Sequence, residues 1–103
     1  MPTRQRDTYL GQYEDVAASQ TAQVLGTDGA IGDYLAGVLI VPETTGAGTV
    51  ALLDLTTSVN IFVAGTLADL TPIWIPMGCR SVLGPWKITT GANVHVRAVG
   101  KFS

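Results

Sequence analysis

The stretch Pro85-Trp86-Lys87-Ile88-Thr89-Thr90-Gly91-Ala92-Asn93-Val94-His95-Val96-Arg97-Ala98-Val99-Gly100-Lys101-Phe102 decides the fold. In an extended chain Val94, Val96 and Ala98 fall on one side, and His95, Arg97, Val99 and Lys101 on the other. That period of two is what a half-buried strand requires. Two such runs separated by Thr90-Gly91-Ala92 read as a hairpin, Pro85 to Thr90 against Asn93 to Phe102.

Working outward, the same rhythm continues toward the N-terminus. Ala36 to Pro42 is a continuous apolar run, long enough for a strand and short for a helix, with Pro42 ending it. Val50 to Leu55 reads as a strand with Ala51, Leu53 and Leu55 on one face and Asp54 on the other. Val59 to Ala64 follows after a short Thr-Thr-Ser link, so these two runs form a second hairpin. Thr71 to Met77 alternates Ile73, Ile75 and Met77 against Trp74. Its prolines, Pro72 and Pro76, suit only an edge or bulged strand. A weaker strand covers Ala22 to Leu25. The expectation is an all-β fold: a single β-sandwich or jelly-roll-like domain of about seven or eight short antiparallel strands.

Residues 1–18 differ in character. They hold Arg4, Arg6, Asp7, Glu14 and Asp15, with no sustained apolar period. They read as an extended polar N-terminal arm, with room for one helical turn at Tyr13 to Ser19, and residues 19–103 as the sandwich domain.

Composition narrows the function. Of the 103 residues 47% are hydrophobic and only 14% charged, against about 25% in ordinary soluble domains. So little charge is expected to leave surface that other subunits cover. Six Lys/Arg spread along a chain of net charge -2 make no basic face, so direct nucleic-acid binding is not expected. The longest strongly apolar run, Leu35 to Val41, is far short of the ~20 residues of a membrane span, and the start lacks a signal-peptide core. The lone Cys79 reads as a small buried hydrophobe.

No catalytic or cofactor constellation emerges. His95 is the only histidine, and strand alternation sets it beside Arg97 and Lys101, cations that repel a metal ion. Asp28 and Asp33 flank a turn, with too few oxygen ligands for calcium. Gly29-Ala30-Ile31-Gly32-Asp33 and Gly78-Cys79-Arg80-Ser81 only loosely resemble two motifs of dUTP pyrophosphatases, which also need a tyrosine-bearing loop with a catalytic aspartate and a Gly/Ser-rich C-terminal arm over the phosphates, and no such arm is expected here. The chain is expected to be no enzyme.

A closer resemblance lies in four segments. They are Gly32-Asp33-Tyr34-Leu35-Ala36-Gly37-Val38-Leu39-Ile40-Val41-Pro42, Ile75-Pro76-Met77-Gly78-Cys79-Arg80-Ser81, Gly84-Pro85-Trp86-Lys87-Ile88-Thr89-Thr90-Gly91-Ala92-Asn93-Val94 and Ala98-Val99-Gly100-Lys101-Phe102. Together with what lies between them, about three-quarters of the chain resembles small β-sandwich virion proteins of tailed bacteriophages, of the capsid decoration (cement) type. The resemblance implies a homotrimer on the outer capsid surface, made in the host cytoplasm and partnered by the major capsid protein. On that reading Arg4, Arg6, Tyr9 and Tyr13 dock to the capsid, and Trp74, Trp86, His95 and Arg97 face other subunits. The alternative is a tail-fibre, baseplate or receptor-binding module of the virion, with Trp74 and Trp86 stacking on host glycans.

Overall fold

The computed structural model describes residues 12–43, 47–63 and 72–103. These form eight strands and no helix: β1 (Gln12–Val16), β2 (Gln23–Val24), β3 (Tyr34–Pro42), β4 (Val50–Asp54), β5 (Thr57–Phe62), β6 (Ile73–Arg80), β7 (Trp86–Thr90) and β8 (Val94–Lys101). The first sheet has the order β1-β8-β3-β6 and the second β2-β7-β4-β5, with every pairing antiparallel. Strands pair first with last, β1 with β8, β2 with β7, β3 with β6 and β4 with β5. The chain is thus a long hairpin bent over into two layers.

One core fills the space between the sheets. Val16, Leu35, Val38, Ile40, Val94, Val96 and Ala98 enter it from the first sheet, and Val50, Leu52, Trp86 and Ile88 from the second. Each fully buried aliphatic side chain contributes about 1.5–3 kcal/mol relative to exposure. The β8 alternation holds as read: Val94, Val96 and Ala98 are buried, while Arg97 and Lys101 are exposed. In β3 a bulge between Leu35 and Gly37 shifts the phase, so that Leu35, Val38 and Ile40 all point inward. β6 is an edge strand, as its prolines require, and is itself irregular where Gly78 adopts φ +70.

Four expectations change. β7 and β8 are not a hairpin. They lie in different sheets, and the connection at Gly91 is tied to other loops, Gly91 N–H donating to Thr49 O and Gly48 N–H to Ala92 O. Alternation reports only that one face of a strand is buried, and it is the same whether the neighbour is the next strand or a distant one. Residues 12–16, read as arm, are β1, an edge strand along β8 and not a helical turn. The β4 phase is reversed, with Val50 and Leu52 in the core and Ala51 and Leu53 on the outer side. Asp54 misled there because it sits at the end of the sandwich, where its carboxylate accepts hydrogen bonds from the N–H groups of Val82, Leu83 and Gly84. Cys79 is exposed, since it lies on the edge strand just past the Gly78 irregularity. The β4–β5 hairpin does form, with a turn at Leu55-Thr56 where Leu55 adopts φ +59.

Candidate interaction surface

The outer face of the first sheet gathers most of the described residues that the sequence marks for contacts. Cross-strand register sets Asp15 opposite Arg97, Arg97 opposite Leu39, and Leu39 opposite Trp74, one row across all four strands. The adjacent row is Tyr13, Val99, Gly37 and Pro76. His95 lies beside Val41 on the same side. The result is a sheet face of aromatic and aliphatic groups with one arginine in its middle.

Two aromatic side chains flank this face. Trp74 is 50% exposed, and its ring comes close to β3 because residue 37 is glycine: a Cβ there would stand 2.6 Å from Trp74 Cζ2. Tyr13 is 60% exposed and supports Arg97, whose guanidinium carbon is 4.2 Å from the ring centroid. The guanidinium is also forked onto Asp15, with Nε 2.7 Å from Oδ1 and Nη2 3.1 Å from Oδ2. Arg97 is therefore fixed between a ring and a carboxylate. His95 Nδ1 lies 3.4 Å from Glu43 Oε2, an ion pair when the imidazole is protonated.

The hydrogen bond from Arg97 holds the Asp15 carboxyl below its ordinary value of 3.8, the guanidinium charge and His95 helping while partial burial opposes. Because the folded value lies below the unfolded one, the stabilisation is complete above the unfolded value and fades as pH falls through the folded one. Arg97→Gln is expected to move the Asp15 titration up toward 3.8. Carboxyl-carbon NMR over about pH 2–6 reads this directly. An unchanged Asp15 titration in the variant would contradict the pairing. The gap in stability between wild type and variant should narrow below about pH 4 and shrink with added salt, because both partners are solvent-exposed.

The remaining candidates separate. Trp86 is not on this face. It is only 7% exposed within its own chain, and its indole N–H donates to Asp33 O at 2.9 Å. It packs the core, so neither a neighbouring subunit nor a glycan can stack on it in the folded chain. Arg4, Arg6 and Tyr9 lie outside the described residues. Asp33, once weighed as a calcium ligand, is used internally: its carboxylate accepts from Ala30 N–H, Ser103 N–H and Ser103 Oγ. Among the described residues no three His, Cys, Asp or Glu side chains gather in a metal-holding group, and no helix is long and apolar enough to cross a membrane.

Sequence reasoning placed Val99 on the His95 and Arg97 side of its strand but missed Leu39, Val41 and Pro76 as members of the face, because a strand's outer row becomes a surface only once its neighbours are known. It also missed Val82 and Leu83, 72% and 51% exposed on the loop that Asp54 caps. The signal was available: two adjacent apolar residues between a strand and a Gly-Pro turn.

Family models, curated proteins and solved structures contain no match to this chain. The fold and site define a small two-sheet β domain that carries an exposed aromatic–aliphatic sheet face.

Proposed function

We propose that the protein is a structural component of a tailed-phage virion: a capsid decoration (cement) protein that bridges neighbouring capsomers as a homotrimer on the outer capsid surface. The observation that carries the reading is the outer face of the first sheet. A domain with a filled core still turns Trp74, Tyr13, Leu39, Val41 and Val99 outward on one face, the kind of patch that partners cover. The first-with-last strand pairing supports a jelly-roll, a fold that recurs in viral shells. The sequence resemblance supports the same class. Tyr13 joins the two parts of the proposal. It belongs to this face and lies one residue inside Gln12, where β1 meets residues 1–11. Those residues hold Arg4, Arg6 and Tyr9, which together with Tyr13 are the residues proposed to dock to the major capsid protein. Weak contacts made three at a time gain strongly from effective concentration.

Quantitative mass spectrometry of purified virions, together with light scattering of the isolated protein, tests the reading. The expected results are a copy number in the hundreds and a particle three times the 10.8 kDa chain mass. Trp74→Asp should give a folded monomer that no longer loads onto capsids. A few copies per virion would overturn the decoration reading. Should Trp74→Ala also abolish binding on a glycan array, the receptor-binding alternative takes its place. Trp74 and Tyr13, exposed aromatics on one face, give that alternative its footing.

A further inference from the structure

Four lysines and arginines fall among the described residues: Arg80, Lys87, Arg97 and Lys101. Arg97 is committed to Asp15. Arg80 and Lys101 make no ion pair with any described carboxylate. They are nevertheless brought together, because Tyr34 at the start of β3 is the register partner of both, Arg80 on one side and Lys101 on the other. With neighbouring strands ≈ 4.8 Å apart, the two cationic residues stand roughly 10 Å apart at the backbone, astride one tyrosine. The Tyr34 ring reaches along β6, its hydroxyl 3.8 Å from where a Cβ on Gly78 would stand, and that hydroxyl bonds to no described residue.

These three side chains line a cavity of about 330 Å³ with Gln12, Gly32 and Phe102 among its other walls. Asp33 and Ser103 complete the lining; the Asp33 carboxylate is buried at its edge, its oxygens accepting from Ala30 N–H, Ser103 N–H and Ser103 Oγ. The nearest backbone donor, Gly32 N–H, is taken by Ser81 O and Ser81 Oγ. Among the described residues, the donors left open are therefore long side chains around a hydroxyl, and no backbone nest is left open.

We propose that Arg80, Tyr34 and Lys101 form a docking cradle for an extended acidic peptide segment of a partner protein. Compact phosphates are usually met by converging backbone N–H groups, which this cavity lacks. Two flexible cations about 10 Å apart instead suit two carboxylates on alternate residues of an extended segment, roughly 7 Å apart. β6 is the sheet edge, so Arg80 leaves the cradle open to a chain arriving from the side. The proposal goes beyond the virion reading and holds for any assembly in which the domain meets an acidic partner.

The test uses the full chain and a labelled hexapeptide with glutamate at alternate positions, followed by fluorescence anisotropy and by amide shifts in the NMR spectrum. Binding should weaken as salt rises, and shifts should cluster at residues 33–35, 79–81 and 100–102. The double variant Arg80→Gln with Lys101→Gln should weaken binding at least about tenfold. Tyr34→Phe should weaken it less, and Lys87→Gln, on the other sheet, should leave it unchanged. A spectrum that keeps the wild-type dispersion shows that each variant folds. Unchanged affinity in the double variant overturns the proposal. So does equal binding of the matching glutamine peptide, or equally tight binding of inorganic phosphate at matched ionic strength.

Discussion

Gly100→Ala is expected to cost about 3 kcal/mol or more, a large share of the stability of a domain this size. Gly100 lies in β8, opposite Leu35 of β3 and Gln12 of β1, at the bulge where β3 changes phase. A Cβ on Gly100 would land on the Tyr34 carbonyl oxygen, with Leu35 Cα and the Phe102 ring each 3.0 Å away. The first two obstacles are backbone, held on both sides by the sheet, so no rotamer change relieves the clash. Strand β3 would have to move as a unit, and with it the buried Leu35. Gly32→Ala is the useful comparison. It adds the same methyl at a backbone of φ +89 with nothing within 4 Å, so its cost is conformational strain alone, about 1–2 kcal/mol. Urea unfolding followed by circular dichroism should place the Gly100→Ala midpoint about 2 M or more below wild type. The Gly32→Ala midpoint should fall between them. If the two variants lose the same stability, the close approach of β3 and β8 at this bulge is wrong.

That comparison also marks what the sequence could and could not carry. Strand existence was legible wherever alternation was clean. Val94, Val96 and Ala98 are buried as read, and the prolines of β6 place it on an edge. Partnership was not legible, because the alternation of β7 and β8 is indifferent to which strand lies alongside. The β4 phase failed for a related reason. Val50-Ala51-Leu52-Leu53 is apolar on both faces, so Asp54 alone set the reading, and Asp54 serves a loop rather than the solvent side. β1 was hidden because Glu14 and Asp15 look like arm residues. Glu14 is in fact spent on Gly26 N–H and Gln23 Nε2, and Asp15 on Arg97. The interaction face was half legible. Tyr13, Trp74, His95 and Arg97 were singled out one by one, but only the register β1-β8-β3-β6 puts them on one surface. The Arg80–Tyr34–Lys101 cradle was invisible, since it depends on one tyrosine being the register partner of two strands distant in sequence.

Trp86→Ala should unfold the subunit or cost about 3–5 kcal/mol, whereas Trp74→Asp should leave the subunit folded and alter only what it binds. The two tryptophans are equivalent in the sequence and opposite in the fold. Trp86 enters the core from β7, between Asp54 of β4 at its register position and the Asp33 carbonyl that accepts its N–H. Removing the ring leaves a cavity among aliphatic neighbours that the rigid sheets cannot close. Trp86→Phe separates packing from hydrogen bonding. It refills most of the space, and the Asp33 carbonyl keeps a second donor, Ser81 N–H, so the loss should stay near about 1–2 kcal/mol. Fluorescence checks the assignment without relying on stability. In Trp74→Phe the emission comes from Trp86 alone and should be blue and poorly quenched by iodide. In Trp86→Phe it comes from Trp74 and should be redder and readily quenched, becoming protected when the face is covered. A Trp86 emission that is quenched as strongly as that of Trp74 would return Trp86 to the surface. It would also reopen the subunit-contact role that burial within its own chain removes.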